Sequence, residues 1–225
     1  MTTASTAGNV PFRSNRFLHV LLLLFSIVFV LSAIHPRMVA DWLLENMLVF
    51  ALIGALAATY RALALSELSY LLLFVYLSMH EWGAHSIYGS VPAGEWMKVI
   101  THSTRNDFDR VVHFGFGLLV AYPLREMLLR KANLRGFWNL WIPVVFALGL
   151  GAAYEIIEAV VAVIASPDAG EAFLGLQGDP WDTHKDMFMG FAGAVVSMGL
   201  TGIGVHMRKR RQREQEARVM ASVGR

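Results

Sequence analysis

Four polar stretches interrupt an otherwise apolar chain of 225 residues, and each carries side chains able to do chemistry. The most informative is Tyr154-Glu155-Ile156-Ile157-Glu158. Two carboxyl groups at i and i+3 point to one side of a helix. Counted back from Ser166 at about 1.5 Å per residue, they lie roughly 12–17 Å below the outer end of that helix. Half of a bilayer's apolar core is about 15 Å, so both are well immersed. A bare carboxylate at that depth costs about 2.5–3.5 kcal/mol on insertion scales. Each must therefore be protonated, paired with a cation such as Arg110 or His113, bound to a metal, or open to a water-filled cleft. The architectural alternative is two neutral acids hydrogen-bonded between helices.

The second stretch runs from His102 through Arg105, Asn106, Asp107, Asp109 and Arg110 to His113 and Phe114. The spacing predicts a helix capped by Ser103 or Thr104, with Asn106 and Asp107 in its first turn. Arg105, Asp109 and His113 would then stack at i, i+4 and i+8 along one stripe. In the third, Asp179, Asp182 and Asp186 follow at i, i+3 and i+7, aligned by a helix starting near Pro180, with Lys185 beside them and His184 off the stripe. In the fourth, Glu81 and His85 of His80-Glu81-Trp82-Gly83-Ala84-His85 share a face if the helix before them continues. A carboxylate beside an imidazole can fix its tautomer. The plainer reading of this fourth stretch is an interfacial turn with belt aromatics.

Grouped around one outward-opening cleft, Glu155, Glu158, His113, Asp109, Asp182 and Asp186 would form a catalytic centre. Glu155, Glu158, His113 and Asp182 are candidate ligands for a divalent metal. Oxygen donors alone suit Mg²⁺ or Mn²⁺, and an added imidazole suits Zn²⁺ or Fe. Such a metal could polarise a phosphoryl or acyl group of a lipid or envelope precursor, or activate water. No stretch has the His-Glu-x-x-His spacing of the zinc proteases. Two other functions use the same residues: a proton-coupled transporter with the carboxylates as reversible carriers, and a non-catalytic module binding a lipid or protein. His80, Glu81, His85, Arg105, Arg110, Asp179 and Lys185 complete the polar outer face.

The elements that must hold these residues are membrane helices. Apolar residues make up 56% of the chain and charged residues 16%, with a mean hydropathy of +0.49, far to the apolar side of globular proteins. The pattern predicts an all-α, polytopic transmembrane bundle of about six helices: Phe17–Ile34, Trp42–Tyr60, Leu63–Met79, Val111–Leu129, Trp141–Ala165 and Lys185–His206. Residues 1–16 form an N-terminal arm, 17–206 the transmembrane domain and 207–225 a basic tail. The first span is too long for a signal-peptide core and lacks a small-x-small cleavage site, so it reads as an uncleaved anchor.

With the N-terminus placed in the cytoplasm, the inner segments hold Arg13, Arg16, Arg61, Arg125, Arg130, Lys131, Arg135 and the tail from Arg208 to Arg225. These are fourteen of the 19 Lys and Arg residues, against Arg37, Lys98, Arg105, Arg110 and Lys185 outside. The positive-inside rule then puts both termini in the cytoplasm. Most acids, among them Asp41, Glu45, Glu95, Asp168 and Glu171, fall on the outer side. With no cysteine, disulfides, thiolate metal sites and cysteine nucleophiles are excluded. The basic tail next to a membrane helix reads as a topology determinant, so no nucleic-acid partner is expected. In the last span Gly190 and Ala194 match Gly149 and Ala153 of the fifth, which predicts close packing of those two helices.

Five signatures run in order through the chain: Asp41-Trp42-Leu43-Leu44-Glu45-Asn46; Arg105-Asn106-Asp107-x-Asp109-Arg110-x-x-His113-Phe114; Tyr122-Pro123-x-Arg125-Glu126; Tyr154-Glu155-x-x-Glu158; and Gly178-Asp179-x-Trp181-Asp182-x-x-Lys185-Asp186. In these the chain resembles the YjdF-type family of bacterial inner-membrane proteins, a domain of unknown function. The resemblance implies a multi-pass protein of the bacterial inner (plasma) membrane and brings no reaction with it. A fainter likeness to VanZ-like membrane proteins lies in the order of a His-aromatic helix, a glutamate-bearing helix and a final Asp-x-x-x-Asp helix with small residues.

Overall fold

The computed structural model describes residues 10–164, 173–174 and 177–223. Ala165, where the fifth span was expected to end, and the acids Asp168 and Glu171 lie outside the described residues. Seven helices are described: α1 (Arg16–Ala33), α2 (Val39–Thr59), α3 (Glu67–Ser86), α4 (Pro92–Thr101), α5 (Phe108–Ala132), α6 (Trp138–Ile164) and α7 (Asp182–Val223). No strand occurs among the described residues. Five helices, α1, α2, α5, α6 and α7, are long and apolar enough to cross a membrane.

The expected third span is α3. At 20 residues it is long enough, but Glu67, His80, Glu81 and His85 leave it without a stretch as apolar as the best one in each of the other five. It starts later than expected because Ser66 caps it, accepting a hydrogen bond from the Ser69 amide at 3.3 Å. Glu126 of α5 binds that cap, accepting from the Ser66 amide at 2.9 Å and from the Ser69 hydroxyl at 2.5 Å. At the other end of the chain, α7 continues unbroken through the basic run to Val223. Arg, Lys, Gln, Glu and Ala are good helix formers, and Arg210 pairs with Glu214 one turn on at 2.9 Å.

Side-chain bonds show how the helices run. At one end Asn15, before α1, donates to Tyr60 beyond α2 at 3.0 Å, and Arg125 of α5 donates to Asn139 of α6 at 3.0 Å. The Ser66–Glu126 contact joins the start of α3 to α5 at that same end. At the opposite end the Arg37 amide donates to the His85 carbonyl at 2.9 Å, and Arg105 meets Asp182 at 2.5 Å. Consecutive long helices therefore alternate in direction. The first end carries most of the basic residues, and the second carries most of the acids and histidines.

The core centres on α5, which packs on α3, α6 and most closely on α7. α7 also packs on α6, as expected, but its Gly190 and Gly193 serve the contact with α5. A Cβ on Gly117 would stand 1.9 Å from the Gly190 carbonyl oxygen, whereas one on Gly149 would meet nothing within 4 Å. The spacing of Gly190 and Ala194 marks a close approach, but several helices of the chain offer small residues at matching intervals, so the partner was not specified. Ala147 of α6 still packs beside Ala194, so α6 flanks the same core.

Candidate functional site

The polar end of the α5–α7 contact joins the second and third stretches. Asp109 and His113 extend from α5, and Asp182 and Asp186 from α7. Ligand atoms of Asp109, His113 and Asp186 all lie within 4.8 Å of one another. From α6, Glu155 brings its Oε1 to 3.7 Å from His113 Nε2, which lies 3.5 Å from Asp109 Oδ1. Asp182 and Asp186 are buried, and Asp186 Oδ1 and Glu155 Oε1 have no hydrogen-bond partner. Of the four residues expected to ligate a metal, His113 belongs to the converging trio. Glu155 adjoins it, Glu158 lines the neighbouring cavity, and Asp182 turns to Arg105.

Arg105 is not on the helix, contrary to the predicted stripe, because α5 starts at Phe108. Ser103 does not cap a helix there. Its hydroxyl oxygen accepts from the Arg105 amide, and Asn106 Oδ1 accepts from the Phe108 amide. Such short side-chain bonds stabilise turns at the expense of helix. The turn carries Arg105 back over the cluster, 2.5 Å from Asp182, 3.6 Å from Asp107 and 3.9 Å from Asp109. Burial works against the charge on Arg105, but the bond and charge of Asp182 override it and hold its pKa above the ordinary arginine value. Asn106, fully buried, also donates to Glu95 of α4 and to the Val91 carbonyl. Gly94 leaves the space for it, since a Cβ there would fall 1.6 Å from Asn106 Oδ1.

Asp179 likewise lies before its helix rather than on its face, since α7 starts at Asp182. Its Oδ1 accepts from the Trp181 amide at 3.1 Å, which turns the chain early. Its other oxygen meets Lys185 at 2.6 Å and Arg110 at 2.7 Å. The Lys185 bond, helped by the Trp181 amide, holds the Asp179 carboxyl down from 3.8 to about 2. A depressed carboxyl pKa adds stability that is complete above the ordinary value and is lost as pH falls through the folded value. Thermal stability of the purified protein should therefore fall between pH 3.8 and about 2 with an Asp179 component. Asp179→Asn should be less stable than the parent at neutral pH and show a shallower slope in that window. Parallel slopes would assign the acid response to other groups.

Beside the trio lies a cavity of about 290 Å³. Its polar lining comprises Glu45, Tyr76, His80, Tyr88, Asp109, His113, Tyr154 and Glu158, and the rest is mainly aliphatic. Tyr154 donates to Glu45 Oε2 at 2.8 Å, His80 Nε2 stands 3.8 Å from the same oxygen, and Tyr88 bonds His80 Nδ1 at 2.7 Å. Glu81 and His85 do share a face of α3, but they turn away from the cavity. Both hold α1 at Ser32: Glu81 accepts from its hydroxyl at 2.5 Å, and His85 Nδ1 lies 2.9 Å from its carbonyl oxygen.

Glu45, Tyr88 and Tyr154 were not singled out for the site, and neither was the buried trio Asp41, Asn46 and Ser32 behind it. A signal was present for Glu45, Asp41 and Asn46. Asp41 and Glu45 at i and i+4, followed by Asn46, put three polar side chains within an apolar helix, a pattern that points to the bundle interior.

Residues 17–208 match the family described as Predicted membrane protein (DUF2238). The chain is also 33% identical over 181 residues to Inner membrane protein YjdF of Escherichia coli (strain K12), an alignment covering 78% of this chain and 84% of that protein. No solved structure matches. Four of the five signatures that carry the resemblance build the polar end of the bundle, with Glu45 on α2, Asp109 and His113 on α5, Tyr154 and Glu158 on α6, and Asp182 and Asp186 on α7, while Tyr122 to Glu126 lies at the basic end. The chain is thus a membrane protein of the DUF2238 family, related to an inner-membrane protein of Escherichia coli.

Proposed function

We propose that this protein binds a divalent cation at Asp109, His113 and Asp186 in a cleft on the outer side of the bacterial inner membrane, and uses it on a lipid or envelope precursor. The observation that carries this reading is the convergence of three ligand atoms from two helices within 4.8 Å. Its supports are the oxygens of Asp186 and Glu155 that no hydrogen bond engages, while Arg105 and Arg110 make their closest ion pairs with Asp107, Asp179 and Asp182. Two carboxylates and an imidazole suit Zn²⁺, Fe²⁺ or Mn²⁺. A bound cation there supplies Lewis-acid polarisation of a phosphoryl or acyl oxygen. Glu155 and Glu158 adjoin the trio and are the groups able to take or return a proton. The positive-inside count and the alternating helices favour six crossings, α3 included, with the basic end cytoplasmic.

Elemental analysis of detergent-purified protein tests this. The wild type should carry about one divalent metal per chain. Asp186→Asn and His113→Ala should lose at least nine-tenths of it while keeping the wild-type elution profile. Metal-free wild type that takes up none of Zn²⁺, Mn²⁺ or Fe²⁺, or variants that keep full occupancy, would overturn it.

A second reading rests on the chain Tyr88–His80–Glu45–Tyr154, which links α3, α2 and α6 by groups able to exchange protons. Proton flux in reconstituted vesicles, abolished by Glu45→Gln with metal content unchanged, would favour a proton-coupled transporter. If these variants keep function in cells and only lower accumulation, the carboxylates are architectural.

A further inference from the structure

The cavity changes character along the bundle. On α2 the lining passes from Glu45 to Leu52, on α5 from Asp109 to Phe116, and on α6 from Glu158 to Gly151. Each step is seven residues, about 10 Å of helix, from the polar end toward the middle. The space is therefore acidic at one end and apolar at the other.

Two of its walls barely meet. α2 packs on α3 and, through Val49 and Leu52, on Phe25 and Phe29 of α1, while α6 packs on α5 and α7. Between α2 and α6 the described bond is the one from Tyr154 to Glu45, at the polar end. Below it Ala51 and Leu150 line the cavity and are also exposed on the outer surface, Leu150 by 41%. Beside this seam the outer faces are apolar: Met47 and Phe50 on α2, Ile157 on α6. An opening between such faces looks into the bilayer.

We infer that one acyl chain of a bilayer lipid passes sideways between α2 and α6 into this cavity, with its polar end at the acidic mouth. The volume, about 290 Å³, is at the lower end of ligand pockets, which run from about 300 Å³, and suits one chain rather than two. Moving a chain from lipid to an apolar pocket gains little, since both surroundings are apolar, so the polar end must supply the selectivity. For that polar end the inference rests on the cation reading above, because a phosphate-bearing headgroup needs a cation between itself and the carboxylates. The route of the chain rests on the cavity alone.

The test uses the full-length protein in vesicles of phosphatidylethanolamine and phosphatidylglycerol containing a phospholipid with a photoreactive diazirine in one acyl chain. Adducts are mapped by mass spectrometry. Leu52 and Phe116 should be labelled in the wild type. A Cβ at Gly151 meets nothing within 4 Å, so Gly151→Leu can fill the apolar end without displacing backbone. It should reduce those adducts at least fivefold, as should Ala51→Leu from the opposite edge. Gly149→Leu, equally unobstructed but in the outer groove with Val145 and Phe146, should leave them unchanged. Exposed Leu23 and Leu31 of α1 report labelling from the bilayer in every sample. Absence of adducts at Leu52 and Phe116 while Leu23 is labelled, or equal labelling in Gly151→Leu, would overturn the inference. Loss of the metal result alone, with these adducts intact, removes the cation reading and leaves the lipid route standing.

Discussion

Asp182→Asn is expected to destabilise the purified protein by about 3–5 kcal/mol, the range seen when one partner of a buried ion pair is removed. Asp182 is 1% exposed and Arg105 7% exposed, so water screens their 2.5 Å contact very little. In the variant the Arg105 guanidinium keeps its longer approaches to Asp107 and Asp109, at 3.6 and 3.9 Å, but loses its closest carboxylate. Arg110, 3.5 Å from Asp182, loses part of its neutralisation as well. Asparagine preserves the size of the side chain at the first position of α7, so the change reports charge rather than volume. Thermal unfolding in detergent provides the measurement. Adding Arg105→Gln should give a double variant whose loss is clearly smaller than the sum of the two single losses, the sign of a direct pair. A single variant within about 0.5 kcal/mol of wild type would show that the cluster does not depend on this pair.

The sequence made the long apolar helices and the acids set within them readable because both follow from the cost of polar groups in hydrocarbon. Glu155 and Glu158 had to face a partner, and the structure gives them His113 and the cavity. Two kinds of information were not local enough to read. Helix starts at Phe108 and Asp182 are decided by short side-chain bonds of Ser103, Asn106 and Asp179, which compete with the helical continuation suggested by i, i+4 spacing. Helix neighbours are decided by the whole bundle. Gly190 and Ala194 announce a close approach, but only the packed bundle makes α5 the partner. The same limit hid Glu45, which joins the site through Tyr154, 109 positions away in the chain.

That choice of neighbour leads to the other large effect. A Cβ on Gly193 would stand 2.1 Å from the Phe114 carbonyl oxygen and 2.8 Å from the Leu118 amide nitrogen. One on Gly117 would stand 1.9 Å from the Gly190 oxygen and 2.6 Å from the Ala194 nitrogen. These neighbours are backbone atoms of packed helices, so no side-chain rotation relieves the overlap, and α5 and α7 must separate. Overpacking usually costs about 1–3 kcal/mol and sometimes more. Gly193→Ala and Gly117→Ala are expected at or above the top of that range. Gly190 lies in the same interface, but its added Cβ would meet the His113 oxygen at 3.6 Å, an ordinary contact. There alanine brings up to about 1 kcal/mol of helix propensity, so Gly190→Ala should be neutral or stabilising. The two costly variants should also weaken metal retention, because Asp109 and His113 on α5 and Asp186 on α7 converge only while the helices stay in backbone contact. Unfolding temperatures and metal content of the three alanine variants decide it. If Gly193→Ala behaved like Gly190→Ala in both, the backbone contact of α5 with α7 would not be what holds the polar centre together.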